Sequence, residues 1–147
     1  MTGSVGVIGL GRMAQALIFP LIEKGKLQSA DVIGVVGSDA SVARLTPALP
    51  DGLTLVTASD PRAMDAWKAS VQLLAVKPQQ LDALAESVGP PQSGQSSLLI
   101  SVLAGVTLER LQKQFPGRVC VRAVPNTPWA RSHGIPRDLE ILKILIL

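Results

Sequence analysis

The sequence has no tyrosine, one cysteine and one histidine among its 147 residues, and aromatic residues make up only 3% of it. A single cysteine, Cys120, excludes an internal disulfide, and with His133 as the lone histidine we predict no metal site. Because aromatic side chains are scarce, aliphatic residues and alanine must fill the core. We interpret Cys120, in the apolar run 119–124, as a buried thiol that packs as a small hydrophobic group.

Long apolar runs and clustered charges are also missing. No stretch reaches the roughly 18 apolar residues that span a bilayer, and the N-terminus lacks the basic segment of a signal peptide. We therefore expect a cytoplasmic protein with no membrane partner. The 14 basic residues, which outnumber the 11 acidic ones, are scattered without interleaved aromatics. This pattern predicts no nucleic-acid partner and suits an anionic small molecule.

What the sequence does contain is an alternation of apolar strands and helices, with 47% hydrophobic residues. Strands are predicted at 5–10, 31–37, 53–57, 71–76, 98–103 and 118–124. Helices are predicted at 13–22, 41–45, 60–68, from Pro78, and at 107–114, and Pro20 is expected to kink the first helix or shorten its last turn. Strands that are apolar on both faces predict an α/β fold: a Rossmann doubly wound parallel sheet of about six strands with helices on both faces.

A glycine turn follows the first predicted strand and opens the first predicted helix. Gly9, Gly11 and Ala14 form a G-x-G-x-x-A pattern in this strand–helix context. Gly9 permits the tight turn, Gly11 lets the backbone approach a pyrophosphate, and Ala14 allows close packing of helix on strand. The free N–H groups at the helix start then bind phosphate. The turn predicts a dinucleotide site; a glycine-rich turn without a ligand is the alternative.

The end of the second strand bears on the choice of cofactor. An NAD site usually has an acidic residue there, which binds the ribose 2′-hydroxyl, and Gly37 or Ser38 takes that position here. A hydroxyl can donate to a 2′-phosphate, and Arg44 can add positive charge, so NADP, as NADPH, is favoured. NAD stays open because Asp39 becomes the acidic ligand if the register differs by one or two residues. Arg44 is equally compatible with an ordinary solvated helix residue.

Three further segments end predicted strands: 74–79 (LAVKPQ), 101–106 (SVLAGV) and 122–128 (RAVPNTP). Together with the glycine turn, in this order and spacing over residues 4–128, they resemble Δ1-pyrroline-5-carboxylate reductase. Another oxidoreductase of the same superfamily, which reduces a carbonyl or a deazaflavin, is the alternative. The Ala-Val-Lys-Pro and Val-Pro-Asn-Thr-Pro segments argue against it.

The resemblance implies reduction of the cyclic imine 1-pyrroline-5-carboxylate to L-proline with NAD(P)H, in proline biosynthesis. By matching position it implies a loop around the pyrophosphate at 8–13 and a ribose contact after the second strand. It also implies that residues 76–78 line the ribose and nicotinamide, that a residue after the fifth strand contacts the nicotinamide, and that residues 126–128 form the floor beneath the reacting ring. The implied cofactor-binding residues are Ile8, Gly9, Leu10, Gly11, Arg12, Met13, Ser38, Val76, Lys77, Pro78, Ala104, Asn126 and Thr127. A surface residue at a strand end is the alternative interpretation of Lys77.

The implied reaction asks little of acidic or basic side chains. The imine nitrogen can arrive protonated, so the protein must mainly position the nicotinamide against the imine carbon and exclude water. This agrees with a sequence that has no Ser-His-Asp set and no paired carboxylates, and we predict no catalytic side chain. We interpret His133 as a solvated histidine of the tail.

The resemblance ends after Pro128. The family continues with a helical second domain that forms the dimer of its homo-oligomers and contacts the substrate carboxylate, and no such pattern follows here. We therefore divide the chain into a dinucleotide-binding domain, 1–128, and a divergent tail, 129–147, which is either truncated or frameshifted, or part of a self-sufficient short protein. The apolar end from Leu139 is expected to dock or associate. Two functional hypotheses result: an imine reductase of very low activity, and a dinucleotide-binding module without turnover.

Overall fold

A computed structural model of the chain describes residues 4–88, 91 and 97–123. The predicted site residues Asn126 and Thr127, together with His133 and the proposed tail, lie outside the described residues, so the predicted division at residue 128 stays a prediction. The strands are β1 (Val5–Ile8), β2 (Val32–Val36), β3 (Thr54–Thr57), β4 (Val71–Leu74), β5 (Leu98–Ser101) and β6 (Val119–Arg122). The α-helices are α1 (Arg12–Glu23), α2 (Asp39–Leu45), α3 (Ala63–Lys68), α4 (Leu81–Ser87) and α5 (Leu108–Gln114).

The six strands form one parallel sheet in the order β3-β2-β1-β4-β5-β6. Val5 of β1 pairs with Val32 of β2 on one side and with Val71 of β4 on the other. Strands β2 and β3 lie on one side of β1, whereas β4, β5 and β6 lie on its other side. The loops that follow β1 and β4 therefore run in opposite directions and leave a crevice between them. This order confirms the predicted Rossmann sheet.

Two apolar clusters cover the two faces of the sheet, because successive strand residues point to opposite sides. Val7 and Leu73 belong to the first cluster, whereas their neighbours Ile8 and Leu74 belong to the second. Helix α1 packs on the first face through its buried side chains, and Val42 and Leu45 of α2 pack beside it. Helices α3, α4 and α5 pack on the second face. Helices therefore cover both faces, as predicted.

The predicted strands are longer than the observed ones, because apolar side chains stay buried after the strand ladder ends. Leu10 lies two residues beyond β1 and is 2% exposed, and Leu103 lies two residues beyond β5 and is 4% exposed. Both loop segments fold back over the core. An apolar run in the sequence therefore marks burial and overstates the extent of the strand.

Prolines and caps alter the helix boundaries. Pro20 does not shorten α1, which continues to Glu23, and the kink expected as the alternative stays a prediction. Helix α3 begins at Ala63, because Asp60 caps a preceding turn in which its carboxylate accepts the backbone N–H of Arg62 at 2.8 Å. Pro78 opens a 3₁₀ turn, Pro78–Gln80, and α4 begins at Leu81.

Helix α5 begins at a side-chain cap. The hydroxyl of Thr107 accepts the N–H of Arg110 at the start of α5. Side-chain capping of a free N–H group typically stabilises a helix by about 1 kcal/mol, so Thr107 helps fix where α5 begins.

Cys120 is buried, as expected from the sequence. Burial raises the pKa of its thiol, which therefore stays protonated at neutral pH. Nearby, the guanidinium of Arg118 lies 5.4 Å from the ring centre of Trp67, which stacks on Phe115 at 5.8 Å. The Cys120 thiol is therefore part of a closely packed region of the core.

A buried polar network ties β4 to β5. Gln72 is fully buried, its amide nitrogen donates to the carbonyls of Trp67 and Ala69, and its amide oxygen accepts the hydroxyl of Ser97 at 2.7 Å. A buried acceptor left without a donor costs about 1–3 kcal/mol. These bonds satisfy carbonyls at the end of α3 where the chain turns into β4.

We expect Ser97→Ala to lower the free energy of unfolding by about 1–2 kcal/mol, because the amide oxygen of Gln72 loses its donor. Urea denaturation measures the change. Ser59→Ala, at an exposed position, is the control and should stay within about 0.5 kcal/mol of the parent. A Ser97→Ala variant as stable as this control would show that water replaces the hydroxyl.

Candidate functional site: a cavity at the strand-order reversal

The glycine turn after β1 is held between the two strands that flank it. The N–H of Gly9 donates to the carbonyl of Val35 at 2.8 Å, and the N–H of Ala75 donates to the carbonyl of Ile8 at 2.8 Å. Gly9 has φ +89°, and a Cβ atom there would lie 2.7 Å from the carbonyl oxygen of Ala75. Backbone conformation and close approach therefore both require glycine at this position.

Gly11 has a different role, because the space beside it is open. It is the N-cap of α1 with extended backbone angles, and a Cβ atom there would meet nothing within 4 Å. None of the described side chains caps the helix, and its first turn holds no acidic residue. The N–H groups of residues 12–14 have no acceptor within the helix. This end of α1 therefore presents free donors and the positive end of the helix dipole.

A cavity of about 580 Å³ lies beside this turn, at the carboxyl edge of the sheet. Its walls are the glycine turn, the end of β2, the inner side of α2, the residue after β3, and the segment that runs from the end of β4 along α4. The lining residues are Ile8, Gly9, Leu10, Gly11, Val35, Val36, Gly37, Ser41, Arg44, Leu45, Ala58, Val76, Gln79, Gln80, Ala83, Leu84 and Ser87. The cavity thus opens where open parallel sheets bind their ligands.

The structure brings together five of the predicted cofactor-binding residues around this cavity. They are Ile8, Gly9, Leu10, Gly11 and Val76. The other described ones lie at the same edge but do not line it. Arg12 and Met13 begin α1, Arg12 with an exposed side chain and Met13 packed against the first apolar cluster. The side chain of Met13 is partly buried there.

Four more predicted residues lie in loops around the cavity. Ser38 is the N-cap of α2, and its hydroxyl accepts the N–H of Ser41 at 3.2 Å. Lys77 and Pro78 are exposed after β4, and Ala104 is exposed in the loop after β5. The contacts assigned to these residues by resemblance stay predictions.

The wall formed by α4 was missed by sequence reasoning. Gln80, Ala83, Leu84 and Ser87 follow helical spacing and present one side of the segment to the cavity. The signal that could have indicated this wall is the recurrence of small and polar residues at three- and four-residue spacing along the segment.

Ser101 also went unnoticed as a residue that shapes the site. It is fully buried at the end of β5, and its hydroxyl accepts the N–H of Leu103 at 3.2 Å. This bond turns the chain so that Leu103 and Val106 are buried while Ala104 and Gly105 are exposed. Ser101 thereby positions the loop that carries the predicted nicotinamide contact.

The charge around the cavity has one sign. Among its described lining residues, Arg44 is the only one with a charged side chain. Asp39, the alternative ligand for a ribose hydroxyl, is the exposed first residue of α2 and does not line the cavity. This electrostatic environment favours an anionic ligand.

Other kinds of site find no support in the described part of the chain. Residues 4–88, 91 and 97–123 contain no group of three or more potential metal ligands. No helix in these ranges is both long and apolar enough to cross a bilayer.

Comparison with known proteins places the chain in a family. The profile of the family described as "NADP oxidoreductase coenzyme F420-dependent" matches residues 4–105. Pyrroline-5-carboxylate reductase of Pasteurella multocida is 38% identical over 134 residues, and the match covers 90% of this chain and 47% of that protein. The corresponding enzyme of Synechocystis is also 38% identical, over 138 residues, with 92% and 48% covered.

A solved structure supports the same assignment. A pyrroline-5-carboxylate reductase from Coxiella burnetii superposes with a TM-score of 0.70 at 26% identity, and the match covers 99% of this chain and 56% of that one. The chain spans about half the length of the curated relatives it matches. The resemblance seen in the sequence is confirmed, and the chain belongs to the family of NADP oxidoreductases described as coenzyme F420-dependent, with pyrroline-5-carboxylate reductases among its relatives.

Proposed function

We propose that this chain supplies the NADP(H)-binding domain of a pyrroline-5-carboxylate reductase, which reduces 1-pyrroline-5-carboxylate to L-proline. The observation that carries the proposal is the cavity at the strand-order reversal, bordered by the open Gly11 and the uncapped start of α1. Relatives that are 38% identical to most of this chain bear the name of that enzyme, which supports the choice of substrate.

The residues around the cavity suit a dinucleotide in three respects. Free N–H groups of α1 can donate to a pyrophosphate. The apolar side chains of Val36, Leu45 and Leu84 offer flat contact for a base. Gly11, where a Cβ atom would meet nothing within 4 Å, leaves space for a ligand at the start of α1.

The chemistry assigned to this chain is binding and orientation. A reduced nicotinamide, when bound, would supply a hydride to the imine carbon of the substrate, whose protonated ring nitrogen would become a secondary amine. The free N–H groups at the start of α1 would hold the pyrophosphate, and the loop shaped by Ser101 carries Ala104, the nicotinamide contact implied by the resemblance. Holding reactants in this way is a major source of rate acceleration.

A dinucleotide-binding module without turnover is the second candidate. It is favoured by the lining of the cavity, whose described residues include Arg44 as the single charged side chain and no acidic group or histidine that could exchange a proton with a substrate. The two candidates share cofactor binding and differ in hydride transfer. The small-molecule substrate, the cytoplasmic location and the absence of a nucleic-acid partner stay predictions from the sequence.

One experiment separates these candidates. The purified chain is titrated with NADPH and NADH by calorimetry, and oxidation of the reduced cofactor is then followed with and without 1-pyrroline-5-carboxylate. Saturable binding with substrate-dependent oxidation supports the reductase. Binding without oxidation supports the module. If neither cofactor binds, the dinucleotide site itself is refuted.

A further inference from the structure

A carboxylate outside the cavity links α4 to α5. Asp82, in the first turn of α4, accepts a hydrogen bond from the guanidinium of Arg110 at 3.1 Å and a second one from the side-chain amide of Gln114, and both donors belong to α5. The bonds from Arg110 and then Gln114 hold the pKa of this carboxyl below its ordinary value, so it is charged at neutral pH. The two donors are four residues apart and therefore lie on one face of α5.

The two linked helices border the candidate site from different strands. Ala83 and Leu84, which directly follow Asp82, line the cavity. Helix α5 begins where the loop after β5 ends, and its first turn is capped by Thr107, which accepts the N–H of Arg110. Arg110 is therefore bonded through its backbone to the end of that loop and through its side chain to the cavity wall.

Apolar packing alone restrains α4 only loosely. The helix has seven residues, of which Leu81 is buried and Leu84 and Ala85 are partly buried against the second apolar cluster. Apolar contacts are non-directional, so they permit a short helix to rotate about its anchor. Hydrogen bonds from two donors to one carboxylate oxygen depend on distance and angle, so they oppose that rotation.

We propose that Asp82 is a positioning residue of the cofactor site, which holds α4 as a cavity wall at a fixed distance from the loop after β5 through its bonds to Arg110 and Gln114. This inference rests on the proposed cofactor site and adds a residue that does not itself line it. When the link is broken, α4 rotates more freely about Leu81 and fewer chains present a wall that fits a dinucleotide. The apparent Kd rises in proportion to that loss.

A double-mutant cycle on cofactor affinity tests the link. Asp82→Ala and Arg110→Ala are each expected to weaken NADPH binding about 3-fold, the range of an exposed ion pair. The described lining residues of α4 are uncharged, so NADH binding should weaken by the same factor. The double variant should bind no more weakly than either single one, because the same link is already lost. Arg110→Lys keeps a charged donor and should recover part of the affinity.

Helix α5 itself supplies a matched control. Lys113 and Glu109 form an exposed ion pair at 3.2 Å within α5 that does not reach α4. Lys113→Ala removes a comparable pair from the same helix and should leave both cofactor affinities unchanged. Urea denaturation of every variant measures stability separately from binding.

Three results would overturn the assignment. Asp82→Ala could bind both cofactors as the parent does, the losses of the two single variants could multiply in the double variant, or the coupling could appear in unfolding and not in affinity, which would make the link merely structural. These outcomes leave the proposed function intact, since the parent chain still binds. If the parent binds neither cofactor, the proposed function fails, and the positioning role fails with it.

Discussion

A Gly11→Ala variant is expected to keep its fold and to bind NADPH about 100-fold more weakly. A Cβ atom at this position meets nothing within 4 Å of the folded chain, and the backbone angles of −82° and −170° suit alanine. The added methyl group therefore does not strain the protein. It occupies the space through which a pyrophosphate approaches the free N–H groups of α1, and the loss of about 3 kcal/mol of charge-assisted hydrogen bonding corresponds to that factor.

The measurement pairs calorimetric titration of NADPH with thermal unfolding of the free protein. Gly9→Ala is the matched comparison, because it places the same methyl group two residues earlier, where φ is +89° and the carbonyl of Ala75 is 2.7 Å away. Gly9→Ala should lower the unfolding temperature, and Gly11→Ala should not. If Gly11→Ala binds NADPH as the parent does, the pyrophosphate lies elsewhere and the glycine turn has no part in binding.

Gly6→Ala is expected to destabilise the chain by about 3 kcal/mol or more. Gly6 lies in the middle of β1, and a Cβ atom there would be 2.1 Å from the carbonyl oxygen of Ala66 in α3. The next nearest atoms, at 2.7 and 2.9 Å, are also backbone atoms of Ala66. Because no side chain can rotate away, helix and sheet must move apart, and the second apolar cluster loses its packing.

Urea denaturation measures this effect against Gly37→Ala, where the added methyl group meets nothing within 4 Å. The control should stay within about 0.5 kcal/mol of the parent. We expect Gly6→Ala to lower the urea midpoint clearly or to prevent folding. A Gly6→Ala chain as stable as the control would mean that α3 lies farther from β1 in solution.

The contrast between these glycines shows how far sequence reasoning reaches. Gly9 and Gly11 were identified because their spacing, between a strand and a helix, has a known physical purpose. Gly6 looks like any small residue inside an apolar run. Its role depends on the close contact with Ala66, sixty positions later in the chain, and no local sequence pattern indicates that contact.

The role of a polar residue at the cavity also depends on tertiary structure. Ser38 follows a predicted strand, and the sequence suggests a ribose contact there. In the structure its hydroxyl caps α2, while Ser41 and Arg44 reach the cavity. Whether a serine caps a helix or faces a ligand depends on where the helix begins, and that boundary lies two residues from the predicted one. Such a difference is small for the fold and decisive for the site.

By itself, the sequence determined the parallel Rossmann sheet, the glycine turn and the family, because apolar periodicity and glycine spacing are properties of contiguous segments. Tertiary structure alone decided that α3 touches Gly6, that α4 forms a cavity wall, and that Arg44 is the charged residue in the lining. Each of these depends on residues brought together across the sheet. Contacts of that kind follow from the packing of whole elements, which a local pattern constrains only in part.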